Sequence, residues 1–194
     1  FAKNERYMKQ PEYLTAMEAL KGMLSGVMKF NVWNKLIRRS LYVESEIAFP
    51  TGYGMGEDMT IMRLFARASK VSYLPKAFYH YVQLNMGAFS KTYSNRHLEE
   101  LNHNVSLLLS DLQGLFGDKL KKEIAFFQLD VKFPFSKYKL WQSWYPEANQ
   151  YILQNKQLSL RSRGLQWLAW KHQFWAIWLY YKCIHKVIYG LIYR

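Results

Sequence analysis

Two adjacent carboxylates, Glu57 and Asp58, follow the loop Phe49-Pro50-Thr51-Gly52-Tyr53-Gly54-Met55-Gly56 and open a stretch with helical spacing. A carboxylate so placed can act as a general base, taking the proton from a hydroxyl that is too weak a nucleophile by itself. The position pulls two ways. A helix N-terminus favours the ionised form, whereas a like-charged neighbour and partial burial favour the neutral one. The same pair also has a plain structural use, capping the helix it precedes.

Upstream stands Trp33-Asn34-Lys35-Leu36. Lys35, after a short strand, can face a diphosphate, pair with Glu57 or point into solvent. Trp33 carries a flat apolar ring that matches a pyranose face, and equally the ring of a core residue. Asn34 suits an Asx-type bond that holds its turn together. Downstream, Ser90 and Thr92 offer hydroxyls for hydrogen bonding, or stand exposed in a loop. A single His80 between Tyr79 and Tyr81 reads as structural rather than as a metal ligand. Cys183 is the one cysteine, so no internal disulfide forms; a buried or partly buried thiol in a reducing compartment is expected.

These groups need elements to position them. Residues 11–26 read as a helix, with Pro11 in its first turn, Gly26 at its end, and Leu14, Met17, Leu20, Lys21 and Leu24 on one stripe. Val27 to Trp33 reads as a short strand and Asn34 to Leu41 as a short helix. Glycines at 52, 54 and 56 ask for unusual backbone angles, so the loop before Glu57 is shaped. A helix follows from Met59 to Ala68. Residues 70–83 give two short strands around Pro75, with Tyr79 and Tyr81 on one face of the second. From Arg96 the pattern turns helical: Leu98, Leu101, Val105, Leu108, Leu109 and Leu112 keep a helical period until Gly114 and Gly117 interrupt it. Further helices are expected over 118–131, 133–144 and 146–156, then one long helix from Ser162 to Arg194. The expectation is therefore an α/β segment with a few short strands over residues 1–95, followed by a helical region over 96–194.

The order Trp33-Asn34-Lys35-Leu36, Phe49-Pro50-Thr51-Gly52, Glu57-Asp58, Tyr79-His80-Tyr81 and Ser90-Lys91-Thr92 resembles the C-terminal half of the family 2 inverting glycosyltransferases of the GT-A type, over residues 15–95. In that family a sugar passes from a nucleotide-diphosphate donor to an acceptor hydroxyl with inversion. The resemblance implies that Asp58 is the base, with Glu57 beside it, and that Trp33, Asn34, Lys35, Tyr81 and Ser90 contact acceptor or donor. It also implies a divalent ion, Mg or Mn, held by a D-x-D motif in an upstream nucleotide-binding half. No D-x-D occurs in this chain, which begins at Phe1, so no cofactor or metal ligand is expected within it, and the piece alone is expected to be inactive. Apolar faces left without the upstream sheet make a homodimer plausible.

Charge offers a different reading. The formal net charge is +13, and residues 148–194 hold seven Lys and Arg but no Asp or Glu. Mixed with Trp and Tyr, this basic stretch suits a helix lying on an anionic membrane surface, or one docked on its own domain. A non-enzymatic basic module that binds membrane or nucleic acid is the alternative to the enzyme. Large apolar side chains among the basic ones, and the lack of a recognition motif, weigh against nucleic acid. The expected location is the cytoplasm, at the inner face of the membrane if the helix binds there.

Overall fold

The computed structural model describes residues 11–76, 78–79, 95–136 and 139–184. The described residues are mostly helical, with one small two-stranded sheet. They divide into two compact units, the first running to Leu120 and the second covering residues from Lys121 onward together with Leu24–Gly26.

In the first unit, β1 (Tyr13–Leu14) pairs antiparallel with β2 (Val71–Ser72), Tyr13 opposite Ser72 and Leu14 opposite Val71. α1 (Ala16–Leu24) begins later than Pro11, because Thr15 and Glu18 close a capping box. Glu18 accepts from both the Thr15 N–H and its hydroxyl at 2.8 Å, and Thr15 Oγ1 accepts the Glu18 N–H at 3.2 Å. These bonds hold the Glu18 carboxyl below its usual range. Ala19, Leu20 and Met23 form its buried side.

Between α1 and the carboxylates the expected strand is absent. Residues 32–34 form a single 3₁₀ turn, and the next helix, α2, covers Arg39–Glu44 rather than 34–41. The small sheet joins only β1 and β2, so among the described residues nothing pairs with 27–31 to make a strand. α3 (Glu57–Phe65) buries Met59, Ile61, Met62, Leu64 and Phe65. α4 (Asn95–Phe116) faces inward with Leu101, Val105, Leu108 and Leu112. Gly114 does not end it; the left-handed Gly117, at φ 53°, does. α3 and α4 are clamped by Asp111, which binds Arg63 Nε at 3.0 Å and Arg67 through two bonds of 2.7 and 2.5 Å. The two guanidinium groups, Arg67 foremost, hold the Asp111 carboxyl below its usual range.

In the second unit, α5 (Lys121–Lys132) ends at a buried lysine. Its ammonium donates to the carbonyls of Trp144 at 2.6 Å and Tyr145 at 3.3 Å and to Asn149 Oδ1 at 2.7 Å, and it lies 3.9 Å from the Trp141 ring centre. Burial pulls this group down to about 8, against the Glu147 charge, so it is still a cation at neutral pH. The chain folds round that cation. Tyr145 turns left-handed at φ 45°, and the expected helices over 133–144 and 146–156 become 3₁₀ segments at 133–135, 139–142 and 146–151. Ala125, Leu129, Trp141, Ala148, Ile152, Leu165, Ala169 and Ile177 make the core.

Over its described part, to Ile184, the expected long C-terminal helix is two helices, α6 (Leu160–Trp170) and α7 (Phe174–Ile184), and its expected continuation over 185–194 lies outside the described residues. At the break His172 adopts φ 57°. The His172 N–H donates to the Ala169 carbonyl at 3.1 Å, and the Gln173 N–H to the Leu168 carbonyl at 2.8 Å. That is a Schellman ending with histidine where glycine is usual. Cys183, expected at least partly buried, is exposed on α7.

Candidate functional site

The loop from Phe49 to Gly56 is held by close contact. Gly52 sits at φ 81°, and the non-glycine Met55 at φ 57°. Gly56 keeps ordinary angles, but a Cβ there would come within 2.4 Å of Pro50 Cγ and 2.6 Å of Asn104 Cγ. Only a residue without a side chain fits. Asn104, buried on α4, donates to the Gly54 carbonyl at 2.8 Å and the Glu100 carbonyl at 2.9 Å. The Gly56 carbonyl then accepts both the Thr60 N–H and the Thr60 hydroxyl at 2.9 Å, which starts α3. The start of α3 is thus fixed from α4 on one side and from the loop on the other.

Asp58 stands in this first turn. Its carboxylate is half-buried, while Glu57 is exposed. Asp58 Oδ1 accepts the Val32 N–H at 3.2 Å. Burial, helped by the Glu57 charge, pushes the Asp58 carboxyl up to about 6, against the Val32 N–H and the Lys35 charge, which pull it down. Of the two opposing tendencies read from the sequence, burial prevails. The group remains ionised at neutral pH and sits close enough to neutrality to exchange a proton.

Lys35 does not pair with Glu57. Its ammonium donates to the carbonyls of Lys29 at 2.6 Å and Asn31 at 3.3 Å and to Asn34 Oδ1 at 2.5 Å. Burial lowers it to about 8, with the Asp58 charge opposing. Asn34 therefore anchors the lysine instead of closing an Asx turn. Trp33 stacks on Tyr79 with ring centres 4.8 Å apart and keeps 42% of its surface exposed. The structure thus brings Trp33, Asn34, Lys35 and Asp58 to one place, with Glu57 at its rim. Tyr81 and Ser90, together with His80 and Thr92, lie outside the described residues.

Asn104 and the Arg63–Arg67–Asp111 clamp escaped the sequence reading. Asn104 had a usable signal, since a polar side chain falls on the apolar stripe between Leu101 and Leu108. An open cavity of about 490 Å³ is lined by Gly52, Tyr53 and Gly54 of the glycine loop with Arg96, His97 and Glu100. Tyr53 stacks on His103 there at 3.9 Å. Among the described residues, no three or more His, Cys, Asp or Glu side chains gather where they could hold a metal ion.

A relative is known by name. Over 119 residues the chain is 33% identical to a cholesterol galactosyltransferase of Borreliella burgdorferi, a match that takes in 56% of this chain and 32% of that protein. The chain therefore spans about a third of the length of the curated relative it matches. The likeness supports a relationship to glycosyltransferases. No protein-family profile matches the chain, and no solved structure matches it.

Proposed function

We propose that this chain supplies the acceptor side of an inverting glycosyltransferase of the GT-A type, family 2, that uses a nucleotide-sugar donor. The observation that carries the reading is Asp58, a half-buried carboxyl raised to about 6 at the start of α3 and tied to the turn of Trp33, Asn34 and Lys35. The acceptor oxygen attacks the anomeric carbon as its proton passes to Asp58. The bond from that carbon to the donor's phosphate oxygen breaks, and the nucleoside diphosphate leaves with the electron pair. Lys35 keeps the carboxylate ionised and adds positive charge near the departing phosphates. Trp33 offers a ring on which an acceptor can stack.

The relative's name joins a galactosyl group to a sterol alcohol, and glycan synthesis joins sugars to sugar hydroxyls; either acceptor needs the same base. We assign the acceptor to surface glycan or glycolipid synthesis on that ground. The resemblance implies a divalent ion as well, but the described residues gather no ligand set for one.

Asp58→Asn in the intact enzyme, assayed with a nucleoside-diphosphate galactose and an alcohol acceptor, tests the reading. Loss of a general base lowers turnover by about 100-fold or more with KM little changed. Near-normal turnover would place the base elsewhere.

A further inference from the structure

The exposed face of α7 is the apolar one. Trp175, Trp178 and Leu179 are 67%, 59% and 46% exposed, and with Lys182 they fall at the i, i+3, i+4, i+7 spacing of a single helix stripe. The opposite side carries Ile177, fully buried, with Phe174, Tyr180 and Tyr181 packed round the core. Both sides of α7 are therefore apolar, and only one is covered within its unit. Lys182 lies over the Trp178 ring, 4.5 Å from its centre, so the stripe ends in a cation held beside an indole. The neighbouring α6 also exposes Leu160 and Trp167.

We propose that this stripe is a docking surface for an anionic phospholipid membrane, with α7 lying flat in the interface. The proposal stands independently of the glycosyltransferase reading. Charge complementarity selects the occupant. From Ala148 onward the chain has no acidic residue, and Lys156, Arg161, Arg163, Lys171 and Lys182 are spread over α6, α7, the link between them and the segment before them. Two copies joined through this face would bring together two basic stretches with no acidic residue to offset them, which opposes a symmetric dimer here. Indole rings settle at the headgroup level, where one edge is apolar and the other wet, and Lys reaches outward to the phosphates. At a rise of about 1.5 Å per residue, α7 is roughly 16 Å long. No helix among the described residues is long and apolar enough to cross a membrane, and the proposed pose is that of an interfacial helix.

The test uses the full chain with vesicles of phosphatidylcholine alone or mixed with phosphatidylglycerol, at low and high salt. Co-sedimentation is expected with the anionic vesicles at low salt and is lost as salt rises. Trp175→Ala with Trp178→Ala lowers binding by about tenfold or more, and Lys182→Gln weakens it by roughly fivefold on anionic vesicles only. Brominated lipids quench the tryptophan fluorescence of the unaltered chain, a readout that needs no variant. Absence of both sedimentation and quenching overturns the proposal, as does binding that ignores the two tryptophans. Oligonucleotide binding or self-association that disappears with those tryptophans would reassign the face to nucleic acid or to a second copy.

Discussion

The Asp58 carboxylate accepts the backbone N–H of Val32 at 3.2 Å, across 26 residues of sequence. That bond ties the first turn of α3 to the turn that carries Trp33, Asn34 and Lys35. An N–H donor there favours the charged carboxylate, yet the group still rises to about 6 because burial outweighs it. Asp58 is held in a place that suits it poorly for stability, which is common where chemistry is done.

Replacing Asp58 with Asn therefore stabilises the fold. Asn keeps an oxygen for the Val32 N–H and removes the partly desolvated charge. The sign follows from linkage. The folded group holds its proton up to about 6 and the unfolded group only to 3.8, so stability falls as pH rises between those values and the full penalty stands above them. The gain is roughly 1 kcal/mol at neutral pH, well below the full shift because water still reaches the group. Denaturant unfolding at pH 7.5 and pH 4 measures it. The advantage of the variant is expected at the higher pH and vanishes at the lower.

Lys35 and Asp58 act on each other through space. The lysine charge pulls the Asp58 carboxyl down, and the carboxylate pulls the lysine up against burial. Lys35→Gln removes the first effect, so Asp58 titrates at higher pH than in the unaltered chain. Carboxyl carbon NMR follows this directly. In the intact enzyme the acid limb of the rate profile shifts the same way, and a fall in activity above pH 8 that depends on the lysine charge disappears. A downward shift of Asp58 would contradict this arrangement.

Two glycines on the same unit should respond oppositely to alanine. At Gly56 the added Cβ meets Pro50 and Asn104 at 2.4 and 2.6 Å, and neither neighbour is a flexible chain end. Gly56→Ala is expected to destabilise by about 1–3 kcal/mol and to disturb the loop that starts α3. Gly114 lies inside α4 with nothing within 4 Å of a new Cβ. Gly114→Ala there adds roughly 0.5–1 kcal/mol through helix propensity. Chemical denaturation of both variants decides the contrast.

How far these features were legible in the sequence depends on their physical origin. α4 was legible because its apolar period runs over about four turns, from Leu98 to Leu112, and the opening of α3 because Glu57-Asp58 follows a glycine loop, although the helix starts at Glu57 rather than at Met59. Residues 27–33 misled because a strand exists only by pairing, and an apolar run does not reveal whether a partner is there. Gly114 misled in the other direction: in a long, well-packed helix one glycine costs too little to break it. The cation in the second unit was invisible, since nothing local marks Lys132 as the point where the carbonyls of Trp144 and Tyr145 converge. The resemblance put Trp33, Asn34, Lys35 and Asp58 together, but the bonds that join them could not be read from the sequence. The Val32 bond to Asp58 and the Asn104 clasp on the loop link residues 26 and 50 positions apart.

The break between α6 and α7 was missed because it lacks the glycine that normally announces it, and that substitution makes it testable. His172 holds a left-handed backbone at φ 57°, where a Cβ crowds the following carbonyl at a cost of about 1 kcal/mol or more. His172→Gly relieves the crowding and gives up an edge contact with Phe174 at 6.4 Å. The expected gain is about 0.5–1 kcal/mol, after the extra freedom glycine brings to the unfolded chain. His172→Val is the counterpart, because a β-branched side chain tolerates this backbone least. The Schellman bonds from residues 172 and 173 to Ala169 and Leu168 then have to be strained or lost. Thermal unfolding is expected to rank the glycine variant above the unaltered chain and the valine variant below it. If valine matched histidine, one continuous helix would be accessible at little cost, and the outward stripe of α7 would rotate with it.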